Sequence, residues 1–290
     1  MAVGGTVTQA FVQMWSDDVT HLAQQKASKL QGSVRTVRGV VGNTYKFHTL
    51  GKGGYIKNKV RNADIRPMSD SASFSAPTDG DSYTGSTADH AVVSATMNSF
   101  VTGEYIEDID QLRTNIDYRQ SYQGAIAAAL NRAYDSELIA VMDAATPGAT
   151  VTATSGLSKD KLVETAEALN DNDVPMGSRF LVISPAALTD MLSDTTLVSS
   201  DYVATQGLQS GFIPNVMGFN VIVSNLLTAT AGVRACYAYD TNSIGCAIGK
   251  DISSRFDYVP QKVAHLVTAE FTQGCAVIDT SGLVQIDVTE

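Results

Sequence analysis

Two short stretches of the 290-residue chain carry residue types that could act on a phosphate or an acyl group. Gly51-Lys52-Gly53-Gly54 sets a lysine among glycines, as in loops whose backbone N–H groups cradle phosphates. It lacks the earlier glycine and the Ser or Thr that must follow the lysine. Ser158-Lys159-Asp160-Lys161 has the Ser-x-x-Lys spacing of an activated nucleophile, but the Ser-Asp-Asn and Lys-Thr-Gly companions are missing. Ser158 therefore reads as a helix cap. The histidines, His21, His48, His90 and His265, show no metal-ligand spacing, and His48 and His90 are expected to face each other across a hairpin. Glu104, Glu107, Asp108 and Asp110 precede a long helical pattern, where the positive end of the helix dipole favours anions; a weak divalent-ion site is the alternative. Cys236, Cys246 and Cys275 are odd in number, lie in apolar strand-like segments, and are expected as reduced core thiols. These residues yield no catalytic, cofactor-binding or metal-binding set, and the chain is expected not to be an enzyme.

Composition sets the class. Apolar residues make up 44% and charged residues 17%, which fits a globular chain with one large domain or two modest ones. No run of about 18 apolar residues is present, so no membrane span is expected. Met1-Ala2-Val3-Gly4-Gly5 lacks the basic and hydrophobic regions of a secretory signal. The formal charge of −10 is unevenly spread. Residues 1–75 hold ten basic and four acidic residues, leaving +6; the remainder holds ten basic and 26 acidic residues, leaving −16. A cationic segment on an anionic body has an obvious partner in another copy of that body, because opposite potentials steer contacts and fix their register. Phosphates would repel the chain as a whole.

The elements that must position these charges follow from periodicity. Phe11, Met14, Trp15, Val19 and Leu22 give one helical face within an N-terminal arm. Val34 to Leu50 reads as a strand, with Tyr45, Phe47 and Thr49 alternating against Lys46 and His48. Gly51 to Asp89 holds very few large apolar groups, and its first half is basic through Lys52, Lys57, Lys59, Arg61 and Arg66. A segment of this length without a core of its own is expected to dock on a neighbouring subunit. His90 to Val101 returns as a strand with Val93, Ala95, Met97 and Val101 on one face, which makes the whole a projecting β-hairpin. Asp110 to about Ala144 predicts a helix carrying Leu112, Ile116, Ile126, Leu130, Tyr134, Leu138 and Val141, stopped by Thr146-Pro147-Gly148. The rest alternates α and β. A helix follows Ser158, a buried strand spans Arg179 to Ile183, and a second helix is capped by Ser184 with Pro185 at its first position. Ser193 to Met217 reads as loop. Strands are expected at 218–224, 235–240, 263–272, 275–279 and 283–288, the last three separated by Gly274 and Ser281-Gly282.

Three stretches carry a family resemblance. They are Glu104-Tyr105-Ile106-Glu107-Asp108-Ile109-Asp110 with Asp117-Tyr118-Arg119, Tyr122 and Ala129-Leu130 leading to Asp135; Val174-Pro175-Met176-Gly177-Ser178-Arg179-Phe180-Leu181-Val182-Ile183-Ser184-Pro185 with Leu188 and Leu192; and Gly218-Phe219-Asn220-Val221-Ile222-Val223-Ser224-Asn225-Leu226. In order and spacing over residues 34–290 they resemble the major capsid proteins of tailed bacteriophages, especially short-tailed, podovirus-like ones.

The resemblance implies an α+β HK97-like fold: an N-terminal arm at 1–35, an extended hairpin loop at 36–101, a peripheral domain with a spine helix at 102–150 and 250–290, and an axial domain at 151–249. Residues 193–217 would then lie near the capsomer axis. It further implies self-assembly into hexamers and pentamers of an icosahedral virion shell, formed in the host bacterial cytoplasm. Expected partners are a portal protein and packaged double-stranded DNA held without sequence-specific contact. Because no coiled-coil segment precedes the arm, a separate scaffolding protein is implied. Met1 at the start of the sequence suggests that no propeptide is removed. Some relatives join Lys to Asn covalently; Lys52, Lys57 and Lys59 lie in the corresponding loop, but no Asn and Glu partners are identifiable, and no cross-link is expected. The alternatives are a nanocompartment shell of the same fold and a soluble α/β enzyme.

Overall fold

The computed structural model describes residues 24–51, 55–57, 61, 82–84, 90–107, 109, 118–152, 155–193 and 215–290. Two sheets organise them. The smaller has the order β1-β13-β14-β6, built from Arg35–Arg38, Ile244–Val259, Ala264–Val277 and Asn98–Glu107. β1 runs parallel to β13, and the other pairs are antiparallel. The larger has the order β7-β15-β12-β8-β10-β9, from Ala149–Val151, Leu283–Thr289, Val233–Asp240, Arg179–Ile183, Phe219–Val223 and Asn215–Val216, with β11 (Ala229–Thr230) beside β12. β15 thus joins a sheet otherwise drawn from residues 149–240.

Helix α1, Tyr118–Ala144, packs on β14 and β6. Its buried stripe is Ile126, Leu130, Tyr134 and Leu138, each one helical turn from the next, completed by Ile139 and Met142. At 27 residues it is about 40 Å long, and it ends ahead of Pro147 as predicted; the expected start, 110–117, lies outside the described residues. Helix α2, Lys159–Asp171, buries Leu162, Thr165 and Leu169. Ser158 stands at its N-cap with extended backbone, but its side chain makes no capping bond. Helix α3, Pro185–Ser193, is capped as expected: Ser184 Oγ accepts from the Ala187 N–H at 3.0 Å.

Two patterns were misleading in the sequence. The expected strands leave 241–262 unassigned apart from the strand-like surroundings of Cys246, because Gly245, Gly249, Asp251, Ser253 and Ser254 break the pattern, yet β13 there is the longest described strand at 16 residues. Conversely, Gly274 looked like a separator but lies inside the continuous strand β14. The returning strand divides at Met97. β5 (His90–Thr96) pairs with β2 (Thr44–Leu50), while β6 pairs with β14. Val101 consequently leaves the face of Val93, Ala95 and Met97 and is 65% exposed. His48 pairs with Val92 and His90 with Leu50, so the two histidines are diagonal, not opposed. Glu104 and Glu107 belong to strand β6, while Asp108, Asp110 and residues 111–117 lie outside the described residues.

Candidate intersubunit surfaces and the anchors behind them

Strands β2 and β5 form one antiparallel pair, and β3 (Tyr55–Lys57) and β4 (Ser82–Thr84), which lie between them in the sequence, form another. The alternation of β2 follows the sequence pattern, with Phe47 buried and Lys46 and His48 exposed. Phe47, Ala95 and Met97 pack on Ala247 and Ala276 as a small core of their own. This root needs small residues beneath it. A Cβ on Gly245 would lie 2.6 Å from the Phe47 ring, and one on Gly274 would lie 2.4 Å from the Thr96 carbonyl oxygen. Beyond the root, Leu50 and Val92 are half-exposed. Among the five basic residues expected to meet a neighbour, the Lys57 backbone pairs with Ser82 and Arg61 is exposed. Lys52, Lys59 and Arg66 lie outside the described residues.

The chain leading into β1 is fastened to its own body. Asp135 on α1 is fully buried and accepts hydrogen bonds from Ser28 Oγ at 2.5 Å, from the Lys29 and Leu30 N–H groups at 2.9 and 3.3 Å, and from Gln25. Lys29 Nζ reaches the Val223 carbonyl at 2.8 Å, and Ser33 and Tyr239 share a hydroxyl contact at 2.5 Å. Burial pushes the Tyr239 phenol upward, so it stays protonated. Residues 25–33 therefore lie along α1 and reach the larger sheet at Val223 and Tyr239.

A second exposed surface lies at the far end of the smaller sheet. Tyr105, Tyr258 and Val263 are 40%, 48% and 61% exposed, beside exposed Glu104, Glu107 and Asp257. Lys262 Nζ sits 3.9 Å above the Tyr105 ring, within cation–π range. The β13–β14 turn places Pro260 after Val259, and the Lys262 N–H returns to the Val259 carbonyl at 3.1 Å. Val263 follows with φ +50°, a conformation that suits Gly or Asn and strains a β-branched residue.

Polar anchors in the larger sheet explain the second quoted stretch. Buried Arg179 donates to the Val174 and Pro175 carbonyls at 2.5 and 3.1 Å and to Asn170 Oδ1 at 2.8 Å, satisfying acceptors in the last turn of α2 and just beyond it. Lys161, also buried, donates to the Ser155 and Asp287 carbonyls at 2.7 and 2.8 Å; desolvation lowers its pKa. Glu290 accepts from Ser184 and, at 2.7 Å, from Arg234. Sequence reasoning missed Asp135, Lys161 and Glu290 as anchors, since no local spacing announces a partner a hundred residues away. Among the described residues, no group of three or more His, Cys, Asp or Glu could hold a metal ion, and no helix is long and apolar enough to cross a membrane.

The cysteine expectation needs correction. Cys246 and Cys275 are joined by a disulfide, and only Cys236 is a free, buried thiol. Strand-like surroundings were expected for both cysteines; the long-range register that sets Cys246 opposite Cys275 is what the sequence does not show.

A model of the phage capsid protein family matches residues 7–290. The chain belongs to that family. The capsid protein matches no curated protein, but its fold is shared with solved capsids. The capsid of a native GTA particle is 12% identical, with a TM-score of 0.73 and 100% of each chain covered. The capsid of cyanophage P-SCSP1u is 15% identical, with a TM-score of 0.72 and 98% of this chain and 94% of that one covered. A chain of Mycobacterium phage Che8 is 17% identical, with a TM-score of 0.68 and coverage of 96% and 97%. The fold is the α+β HK97-like capsid fold. The chain is a structural protein of a phage capsid.

Proposed function

We propose that this capsid protein closes its shell by laying the cationic hairpin of one subunit on the anionic surface of the next, within hexamers and pentamers. The carrying observation is the hairpin's root, where Phe47, Ala95 and Met97 pack on Ala247 and Ala276 of the body, while Leu50 and Val92 beyond it are exposed. The charge balance supports the reading, at +6 for residues 1–75 against −16 for the remainder. So does the exposed face of α2, where Asp160, Glu164, Glu167 and Asp171 line up. An exposed ion pair contributes only about 0–1 kcal/mol; repetition around a closed lattice multiplies it. In this reading residues 36–101 are the extended loop, 102–150 and 250–290 the peripheral domain, and 151–249 the axial domain. The interior holds double-stranded DNA without sequence-specific contact. A separate scaffolding protein shapes the shell in the host bacterial cytoplasm, and a portal protein occupies one vertex. The stretches at 104–110, 174–185 and 218–226 favour a short-tailed, podovirus-like source.

Reversing Lys57, Lys59 and Arg61 together to Glu is expected to abolish particles in sedimentation while leaving circular dichroism and the subunit's thermal transition intact. Normal particles from this triple variant would refute the hairpin mechanism. At the second surface, Val263→Asn relieves the strained turn and is expected to stabilise the subunit by about 1 kcal/mol. The same change removes an apolar contact, so particle yield is expected to fall. A rise in both stability and yield would exclude the β13–β14 turn from the interface.

A further inference from the structure

The disulfide occupies an unusual place for a protein built in a reducing cytoplasm, where thiols are kept reduced. Cys246 and Cys275 are direct partners on the two central strands of the smaller sheet, with Cα atoms 4.2 Å apart. That spacing is typical of a non-hydrogen-bonded antiparallel pair, the position where opposing side chains come closest. The backbone on both sides is held independently of the sulfurs: β1 pairs with β13 at Thr36–Cys246, and β6 pairs with β14 through Asn98–Gln273. Breaking the bond would leave two thiols still adjacent, and so able to close again.

We infer that Cys246 and Cys275 form a redox pair, a dithiol while the shell is assembled and a disulfide in the released particle. This rests on the shell reading above. The oxidant is a low-molecular-weight disulfide outside the cell. The Cys275 thiolate attacks one of its sulfurs and expels a small thiolate. The Cys246 thiolate then displaces the second small thiolate from the mixed disulfide. Two protein thiols and one small disulfide become one protein disulfide and two small thiols. Cys275 is the entry point, at 8% exposure against 0% for Cys246. Cys236 does not compete, because it lies buried in the other sheet and burial pushes its thiol up to about 11.

The bond's position determines its effect. Gln273 Nε2 lies 3.3 Å from Cys275 Sγ and donates to the Tyr134 carbonyl of α1 at 3.2 Å. On the opposite face the adjacent Gly245, Ala247, Gly274 and Ala276 carry the hairpin root. Closing the bond therefore ties together the two strands between α1 and the hairpin, and stiffens the frame after assembly.

The test begins with cells making particles, quenched in acid and alkylated under denaturing conditions before peptide mass spectrometry. Both Cys246 and Cys275 are expected to be alkylated. Particles then exposed to oxidised glutathione are expected to lose that label and to unfold roughly 5–10 °C higher. Reductant should reverse the shift. The Cys246→Ala/Cys275→Ala variant should assemble and respond to neither reagent. A disulfide already complete in quenched cells, thiols that survive oxidation, or oxidation without a thermal shift would each overturn the inference. Wild-type particles treated with reductant decide the matter should the variant fail to fold. Electron micrographs of the same samples separate the two readings: intact shells with unresponsive thiols defeat only the redox step, whereas no shells at all defeats the capsid assignment.

Discussion

An Asp135→Ala chain is expected to lose about 3 kcal/mol of stability and to release residues 24–34 from α1. The carboxylate is fully buried and gathers hydrogen bonds from Gln25, Ser28, Lys29 and Leu30. Bonds to a charged acceptor are worth about 1.5–3 kcal/mol each, and removing the acceptor strands buried donors at a further cost. The effects share one acceptor and do not add, which keeps the total near the upper range for a single substitution. Asp135→Asn should fall between wild type and Ala, because its one carbonyl oxygen can satisfy only part of the set. Denaturant midpoints give the energy, and limited proteolysis with mass analysis shows whether cleavage moves into residues 24–34. A loss below about 1 kcal/mol with no new cleavage would show that this segment is held by other contacts.

The second large effect is expected at Gly274. A methyl group there would meet the Thr96 carbonyl oxygen at 2.4 Å and its carbon at 2.8 Å, and neither is a movable side chain. The chain at Thr96-Met97, where the hairpin passes into β6, must shift away from β14, opening the small core of Phe47, Ala95 and Met97. Overpacking of this kind costs typically about 1–3 kcal/mol. Because the displaced element is the hairpin root, Gly274→Ala is expected to reduce particle formation more than subunit stability alone would dictate. Gly177→Ala is the control, since nothing lies within 4 Å of its added carbon. Equal particle yields from the two variants would mean that the root tolerates movement.

Legibility in the sequence followed the range of the interactions. The stripe on α1, the alternation of Tyr45, Phe47 and Thr49, and the Ser184-Pro185 start of α3 arise from neighbours three or four residues away or two positions along a strand, and periodicity exposes them. β13 was left unassigned apart from the strand-like surroundings of Cys246, because its glycines and serines break the alternation. Gly245 is needed because another element crosses it closely, a property of the partner and not of the local sequence. The cysteines were placed in strand-like segments, but the register that sets Cys246 opposite Cys275 is a long-range property, so they looked unpaired. The charge asymmetry was legible as a sum over residues. The anchors Asp135 and Arg179 were quoted for their place in a family pattern, and their physical reasons emerged only from contacts across the fold.

The route of residues 24–38 has a mechanical consequence. This stretch bonds to α1 through Asp135, reaches the larger sheet at Tyr239, and then runs alongside β13 as β1. Tension applied along the axis of β1 loads its four ladder positions in shear, so they resist together and do not unzip in sequence. Pressure from packed contents or a tug from an adjoining tile would thus be spread over both halves of the molecule, making this short strap a tie rod within the wall.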